Sequence, residues 1–327
     1  MIRLSIIIPF YNVEQYIAQC LDSVYNQDIP EEEYEVICVN DASPDGSREV
    51  VKEYQKKHKN LILVEHEVNK KLGAARNTGR KMAKGKYLWN VDSDDMIASN
   101  CLKGMLEICE KNDLDVLIFC AYYLRDGNME VCKHIPWNEN PKPSSGTVFW
   151  TEQVIKHRGE VAAVWKQMYK REYLDNKDIY SPEINMSEDV PYTYSSVLLA
   201  ERLMAINKPC YIYRVTMNSL TRALRKHPTP IAVYENSFVC SAFIYALINK
   251  LGKCDWRIYD SLIVVTQHIF MLFFYFNQFF TKEERKEFLS LCRRNFLNNL
   301  FVYKILSKRQ SWKYTKFIFV GVVPKDH

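Results

Sequence analysis

The run LSIIIPF, residues 4–10, is short, nearly all apolar and rich in β-branched side chains, as a strand buried on both faces would be. Beyond it, Val13, Tyr16, Ile17, Cys20, Leu21 and Val24 recur at helical spacing. YEVICVN (34–40) reads as a second strand. SPDGS (43–47) then turns the chain into a helix, with Asp45 or Ser47 as its cap. NLILVEH (60–66) is a third strand, followed by a helix over 72–84 that Gly85 would stop. KYLWNVD (86–92) is a fourth strand, 99–111 a helix, and DVLIFCAYY (115–123) a fifth strand.

Strands alternating with helices imply parallel βαβ units in a doubly wound α/β sheet. Such sheets bind ligands beyond the carboxyl ends of their strands. Asn12, Asp41, Ser43, Asp92, Asp94 and Asp95 all follow a strand end and are expected to converge on one crevice.

Further along the pattern loosens. Residues 134–146 are a Pro-, Asn- and Ser-rich loop. VAAVWKQMYKREYL (161–174) looks helical, and 186–203 places the pair Glu188–Asp189 at the start of another helix. LMAINKPCYIYR (203–214) reads as two short strands joined by a turn. From about Pro228 strand signals vanish and aromatic-rich helices take over. The expected division is residues 1–225, with a nucleotide-binding half (1–125) and an acceptor half (126–225), then a helical appendage over 226–327.

The apolar stretch 259–280 is broken by Asp260, Gln267, His268 and Asn277, which argues against a membrane-spanning helix. The tail 293–323 mixes Lys and Arg with aromatics. Peripheral membrane association and a helical layer with a solvated basic face both fit it.

Composition adds little to this picture. Hydrophobic residues at 47% and charged residues at 25% are ordinary for a globular chain of 327 residues. A formal charge of +5 is too mild to argue for nucleic acid. The ten cysteines form no CxxC pair and no zinc spacing, so buried reduced thiols and a cytoplasmic setting are expected, in line with an N-terminus unlike a signal peptide.

The chemistry concentrates in NVDSDDM (90–96). The chain carries no GxGxxG after its first strand and no GxxxxGK[ST], which excludes the two commonest glycine-rich phosphate cradles. Phosphates would then be met by a divalent cation on carboxylates, Mg²⁺ or Mn²⁺. In an extended segment Asp92 and Asp94 point to one side, where one can grip a sugar hydroxyl and the other a metal. A helix cap accounts for one of the three acids but not for the set.

These motifs together resemble family 2 glycosyltransferases of the GT-A fold, the non-processive kind of bacterial polysaccharide biosynthesis. The resemblance runs from residue 3 to about 220, through SIIIPFYNVEQYIAQCLDSVYNQ, VICVNDASPDGS, GAARNTG, WNVDSDD and MSEDVPYTYS in that order. It implies that Pro9 and Tyr11 cradle base and ribose, and that Asp41 accepts a hydrogen bond from the base, as a pyrimidine imide N–H would give. It places Arg76 near the nucleotide, Asp92 on the ribose and Asp94 on the metal. Asp189 becomes the catalytic base, with Trp165 and Glu188 on the acceptor side.

The implied reaction is an inverting, metal-dependent transfer of one sugar from a nucleotide-diphosphate sugar, UDP-linked by preference, to a glycan or lipid-linked acceptor. A departure stands at Lys71, where relatives often have glycine. The QxxRW motif of processive, membrane-embedded relatives is missing. Two other readings are an inactive sugar-nucleotide binding protein, against which Asp92, Asp94 and Asp189 speak, and a nucleotidyltransferase, which would show a glycine-rich basic signature after the first strand.

Overall fold

β1 (Leu4–Phe10) is buried along its whole length and pairs in parallel with β2 (Tyr34–Asn40) on one side and β4 (Tyr87–Asn90) on the other. β3 (Leu61–Glu65) adds in parallel outside β2. The computed structural model describes residues 1–132, 141–157, 159–184, 187–215, 229–277 and 280–294. Within them the strand order is β3-β2-β1-β4-β8-β6-β9-β5, with β7 (Asn128–Cys132) beside β6 (Val116–Arg125). Strands β8 (Gln167–Lys170), β7 and β5 (Met96–Ile97) run against the others, so the sheet is mostly parallel, as the alternating pattern predicts.

Helices α1 (Ile17–Tyr25), α2 (Ser47–Lys57), α3 (Lys71–Met82) and α4 (Leu102–Lys111) make the crossovers. α1 buries Ile17, Cys20, Leu21 and Val24 of the residues that the spacing singled out; Val13 and Tyr16 precede the helix and are partly buried. α2 begins at Ser47, so Ser47 is not its cap; both its N–H and its hydroxyl go to Asp45 Oδ1, at 3.2 and 2.6 Å. α3 stops at Met82, before Gly85, whose N–H is given to Ser5 Oγ at 2.8 Å.

Three stretches differ from the sequence reading. After the short helix α5 (Gly146–Phe149), residues 161–174 form a single 3-10 turn at Val164–Lys166, then β8, then the start of α6 (Arg171–Asn176). The sheet claims Gln167–Lys170 because β8 is the only link between β4 and β6 along the strand order, and its ladder outweighs local helix preference. LMAINKPCYIYR is one continuous strand, β9 (Leu203–Arg214); Asn207–Lys208 form a bulge instead of a turn, since the pairing jumps from Phe119–Ile206 to Cys120–Pro209 and Ala121–Tyr211. The two-residue β5, hydrogen-bonded to β9, carried no sequence signal.

The chain divides into two compact units, residues 1–183 with 192–216, and residues 184–191 with 217–327. In the second, α8 (Pro230–Tyr234), α9 (Cys240–Leu251), α10 (Trp256–Asn277) and α11 (Lys282–Arg294) bury Val233, Phe238, Ile244, Leu262 and Phe288. Thr281 and Glu284 cap α11 reciprocally, at 2.8 and 3.2 Å. Among the described residues, no helix is long and apolar enough to cross a membrane, and no disulfide joins the cysteines. The basic, aromatic tail 293–323 lies almost wholly outside the described residues.

α3 sits unusually close to the sheet at Gly79. A Cβ there would lie 2.4 Å from Ile7 Cγ2 and 3.3 Å from Val39 Cγ2, both on buried strands that cannot yield. Gly79→Ala gains about 1 kcal/mol of helix propensity but costs up to about 3 kcal/mol in overpacking. A net loss of about 2 kcal/mol is expected, read as a lower urea midpoint at unchanged slope. A midpoint at or above wild type would mean that this close approach is not rigid.

Candidate active site

The loops after β1 and β2 are stitched together by side chains. Asn12 N–H reaches Ser43 Oγ at 3.2 Å and Val13 N–H reaches Ser47 Oγ at 3.0 Å. Glu14 and the 45–46 turn exchange bonds: Glu14 N–H to Asp45 Oδ2 at 2.9 Å, Gly46 N–H to Glu14 Oε2 at 3.0 Å. Asn12 (φ 55°) and Ala42 (φ 60°) hold left-handed backbone in these loops. Pro9 is buried in β1, beyond the last β1–β4 pair at Ile7–Asn90, so its missing N–H costs no ladder bond. Tyr11, two residues on, is 47% exposed.

Asp41 does more than the sequence suggested. Its side chain is buried and accepts three hydrogen bonds: His66 Nδ1 at 2.7 Å and Lys70 N at 2.8 Å on Oδ1, Lys71 N at 2.9 Å on Oδ2. The last two donors are the exposed N–H groups at the start of α3, so Asp41 caps that helix from another strand. Lys71 itself has φ 75°, a conformation that favours glycine. A backbone conformation that suits glycine is therefore held with a lysine, at a cost of about 1 kcal/mol.

Five residues further along α3, Arg76 is 3% exposed, and its Nη2 donates to Asp92 Oδ1 at 3.0 Å. Next to it, Asn77 exchanges two hydrogen bonds with the Ser181 backbone, at 2.9 and 3.0 Å. α3 thus ties the β2 end, through Asp41 and Lys71 N, to the β4 end, through Arg76 and Asp92.

The extended geometry expected for the acids does not hold. β4 ends at Asn90, and Asp92–Asp95 is a turn closed by Asp95 N–H on the Asp92 carbonyl at 3.1 Å. The turn itself separates the acids. Asp95 is buried, accepting Arg214 N–H at 2.7 Å and the Tyr211 hydroxyl at 2.8 Å; that hydroxyl in turn accepts Asp92 N–H at 3.1 Å. Arg214 Nε donates to the Asp94 carbonyl at 3.0 Å, and its Nη2 to Gln19 Oε1 at 2.6 Å. Burial, then the charge of Asp92, lifts the Asp94 carboxyl to about 6; its own N–H and Arg214 oppose the rise. Burial and the charges of Asp94 and Asp92 push Asp95 well above the ordinary carboxylate range.

Trp165 is 7% exposed and lies parallel to Tyr211 at 4.4 Å and Tyr213 at 5.3 Å, so its ring belongs to a buried aromatic stack. Its carbonyl accepts Trp89 Nε1–H at 2.8 Å. Glu188 and Asp189, both half-buried, open the helix α7 (Asp189–Leu198) after Ser187 at φ 60°. They group with residues 217–327. His66, Thr78, Tyr211 and Arg214 were not singled out by the sequence. Nothing local marks them, because their partners lie 12 to 195 residues away.

Residues 5–184 match the family model "Glycosyl transferase family 2". The chain is 34% identical over 265 residues to "Uncharacterized glycosyltransferase EpsJ" of Bacillus subtilis (strain 168), covering 78% of this chain and 74% of that protein. It is 32% identical over 215 residues to "Poly(ribitol-phosphate) beta-glucosyltransferase" of Bacillus spizizenii, covering 65% of this chain but only 32% of that protein. Among solved structures, S. aureus TarS 1-349 in complex with UDP-GlcNAc superposes with a TM-score of 0.67 at 23% identity, over 88% of this chain and 79% of that one. This likeness supports the GT-A fold.

A carboxyl raised in the folded state adds stability that is full below its unfolded value, near 3.8, and is lost as pH rises through about 6. Asp94→Asn in cation-free buffer is therefore expected to match wild type near pH 4. It should gain on it between pH 4 and 6, and exceed it by about 1–3 kcal/mol at pH 7.5. Melting curves across that range check this; a pH-independent difference would remove the burial argument for Asp94.

Proposed function

The chain belongs to glycosyl transferase family 2, and from that premise we propose an inverting, cation-assisted transfer of one sugar from a UDP-sugar to a hydroxyl of a surface glycan or lipid-linked precursor. Family membership makes it an enzyme that takes a sugar from a nucleotide sugar. The nucleotide, the cation, the stereochemistry and the acceptor are our inference.

One observation carries this reading. Arg76 occupies Oδ1 of Asp92, while the neighbouring Asp94 carboxylate is raised by burial and by Asp92, with only its own N–H and Arg214 in opposition. Two carboxylates in one turn thus have different tasks. Asp92, oriented by Arg76, suits the ribose hydroxyls. Asp94 suits a hard cation, whose oxygen preference a carboxylate meets. Among the described residues no group of three or more His, Cys, Asp and Glu is arranged to hold a metal. That fits Mg²⁺ or Mn²⁺, which bind through one or two carboxylates and take diphosphate oxygens as further ligands. When bound, such a cation neutralises charge on the departing diphosphate.

The chain's own residues do the rest. The exposed ring of Tyr11 packs on the nucleoside, beside the β1 end that Pro9 shapes. Asp41 Oδ1 already takes two donors and Oδ2 one, so a single accepting position remains for a base N–H, and uracil has one. The side chain of Lys71 places a cation by the diphosphate. Asp189, next to Glu188 in the chain, takes the proton of the attacking hydroxyl; Trp165, buried against Tyr213, serves the acceptor only through that ring. A single displacement turns an α-linked donor into a β-linked product. Relatives named as beta-glucosyl and beta-N-acetylglucosaminyl transferases to poly(ribitol-phosphate) are consistent with that outcome and with a polymer acceptor.

UDP release from a panel of UDP-sugars is expected with Mn²⁺ and to stop on adding EDTA. Asp94→Ala should lose at least about a hundredfold in turnover. Turnover indifferent to EDTA and to Asp94→Ala would sink the cation. Asp189→Asn should bind UDP as wild type does and lose about 10²–10⁴ in kcat. Wild-type kcat in that variant would move the base elsewhere.

A further inference from the structure

His66 is held at three points. Its backbone N–H donates to the Asn40 carbonyl at the end of β2, at 2.9 Å. Its ring bridges Asp41 Oδ1, at 2.7 Å, and Thr78 Oγ1 on α3, at 2.9 Å. The side chains of His66 and Asp41 are each 5% exposed. A carboxylate can only accept, so Nδ1 carries the proton; Nε2 pairs with the Thr78 hydroxyl, which can donate or accept. Every ring position that can hydrogen-bond is used inside the protein, and none is left for substrate chemistry.

We propose that His66 is the positioning residue that gives this site its choice of base: it fixes the Asp41 carboxylate so that the one accepting position of Oδ2 meets the imide N–H of uracil and rejects cytosine. This rests on the reading of Asp41 as the base contact. Without His66, Oδ1 regains an accepting position and the carboxylate is held only by Lys70 N and Lys71 N. Those donors are adjacent at the very start of α3, and Lys71 there is strained at φ 75°. His66 instead anchors the carboxylate to the sheet and to α3 together. Cytosine offers a lone pair where uracil offers N–H, so a fixed acceptor repels it, whereas a carboxylate free to turn discriminates less.

The test is a binding titration of UDP and of CDP against the full chain, with Mn²⁺ held constant. Wild type should favour UDP over CDP by at least about tenfold, the worth of one hydrogen bond to a charged group. His66→Ala should bind UDP about tenfold more weakly, leave CDP nearly unchanged, and so bring the ratio close to one. His66→Asn, whose amide N–H can replace Nδ1–H, should restore most of the ratio. A role confined to stability would weaken both nucleotides alike.

A wild-type UDP/CDP ratio in His66→Ala overturns the proposal. Asp41→Asn separates the two levels of inference. If it keeps the ratio, Asp41 does not read the base and the underlying reading fails. If it loses the ratio while His66→Ala keeps it, only the role of His66 fails. Should His66→Ala not fold, Thr78→Val decides: a ratio reduced several-fold supports the strut from α3, and an unchanged ratio overturns it.

Discussion

A guanidinium that is 3% exposed has to find its counter-charge inside the protein, and Arg76 finds it on Asp92. Pairs like this one add little net stability, because desolvation offsets most of the attraction, but losing one partner is expensive. Their effect is geometric. Arg76 sits on α3 and Asp92 beyond β4, so the pair fixes the distance between a helix and a strand end. That in turn requires α3 itself to be fixed. Asp41 and His66 hold its N-terminal half, the Gly79 contact seats it on β1 and β2, and Asn77 ties it to Ser181. The polar residues of the crevice wall are thereby referred to one helix.

The opposite wall is supplied by β9. Its second half brings Tyr211 and Arg214 to the acid turn, where they meet Asp92, Asp94 and Asp95 through hydrogen bonds to backbone and side chain. Trp165, stacked on Tyr211 and Tyr213, makes this wall apolar behind its polar edge. Asp95, buried between the Tyr211 hydroxyl and the Arg214 N–H, is the joint between β9 and the turn. Asp92 and Asp94 are less buried than Asp95.

The parallel half of the sheet was legible because β1 and β2 are fully buried β-branched runs, and burial on two faces leaves a plain mark in sequence; β3, only partly buried, was legible from its apolar composition. The acids were legible too, since strand ends in such a sheet are where ligands bind. What failed was local geometry inferred from periodicity. Two-residue alternation was carried past Asn90 into what is a turn, and Gln167–Lys170 were given to a helix although the sheet needed them. The bulge at Asn207–Lys208 looked like a turn because its residues are turn formers. His66, Tyr211 and Arg214 escaped because their roles exist only through partners distant in sequence.

The bulge in β9 has a consequence for how this molecule tolerates change. Ahead of it, the strand follows β6 in one register; behind it, in another, shifted so that the aromatic and cationic side chains face the acid turn. The bulge behaves like the slip joint of a rail, which lets one length be set without moving the other. Removing or adding a single residue there would turn Tyr211 and Tyr213 to the opposite face of the sheet and Arg214 to the face they leave, while Leu203–Ile206 lie ahead of the change. The fold would keep its strands in order and lose the wall of its crevice.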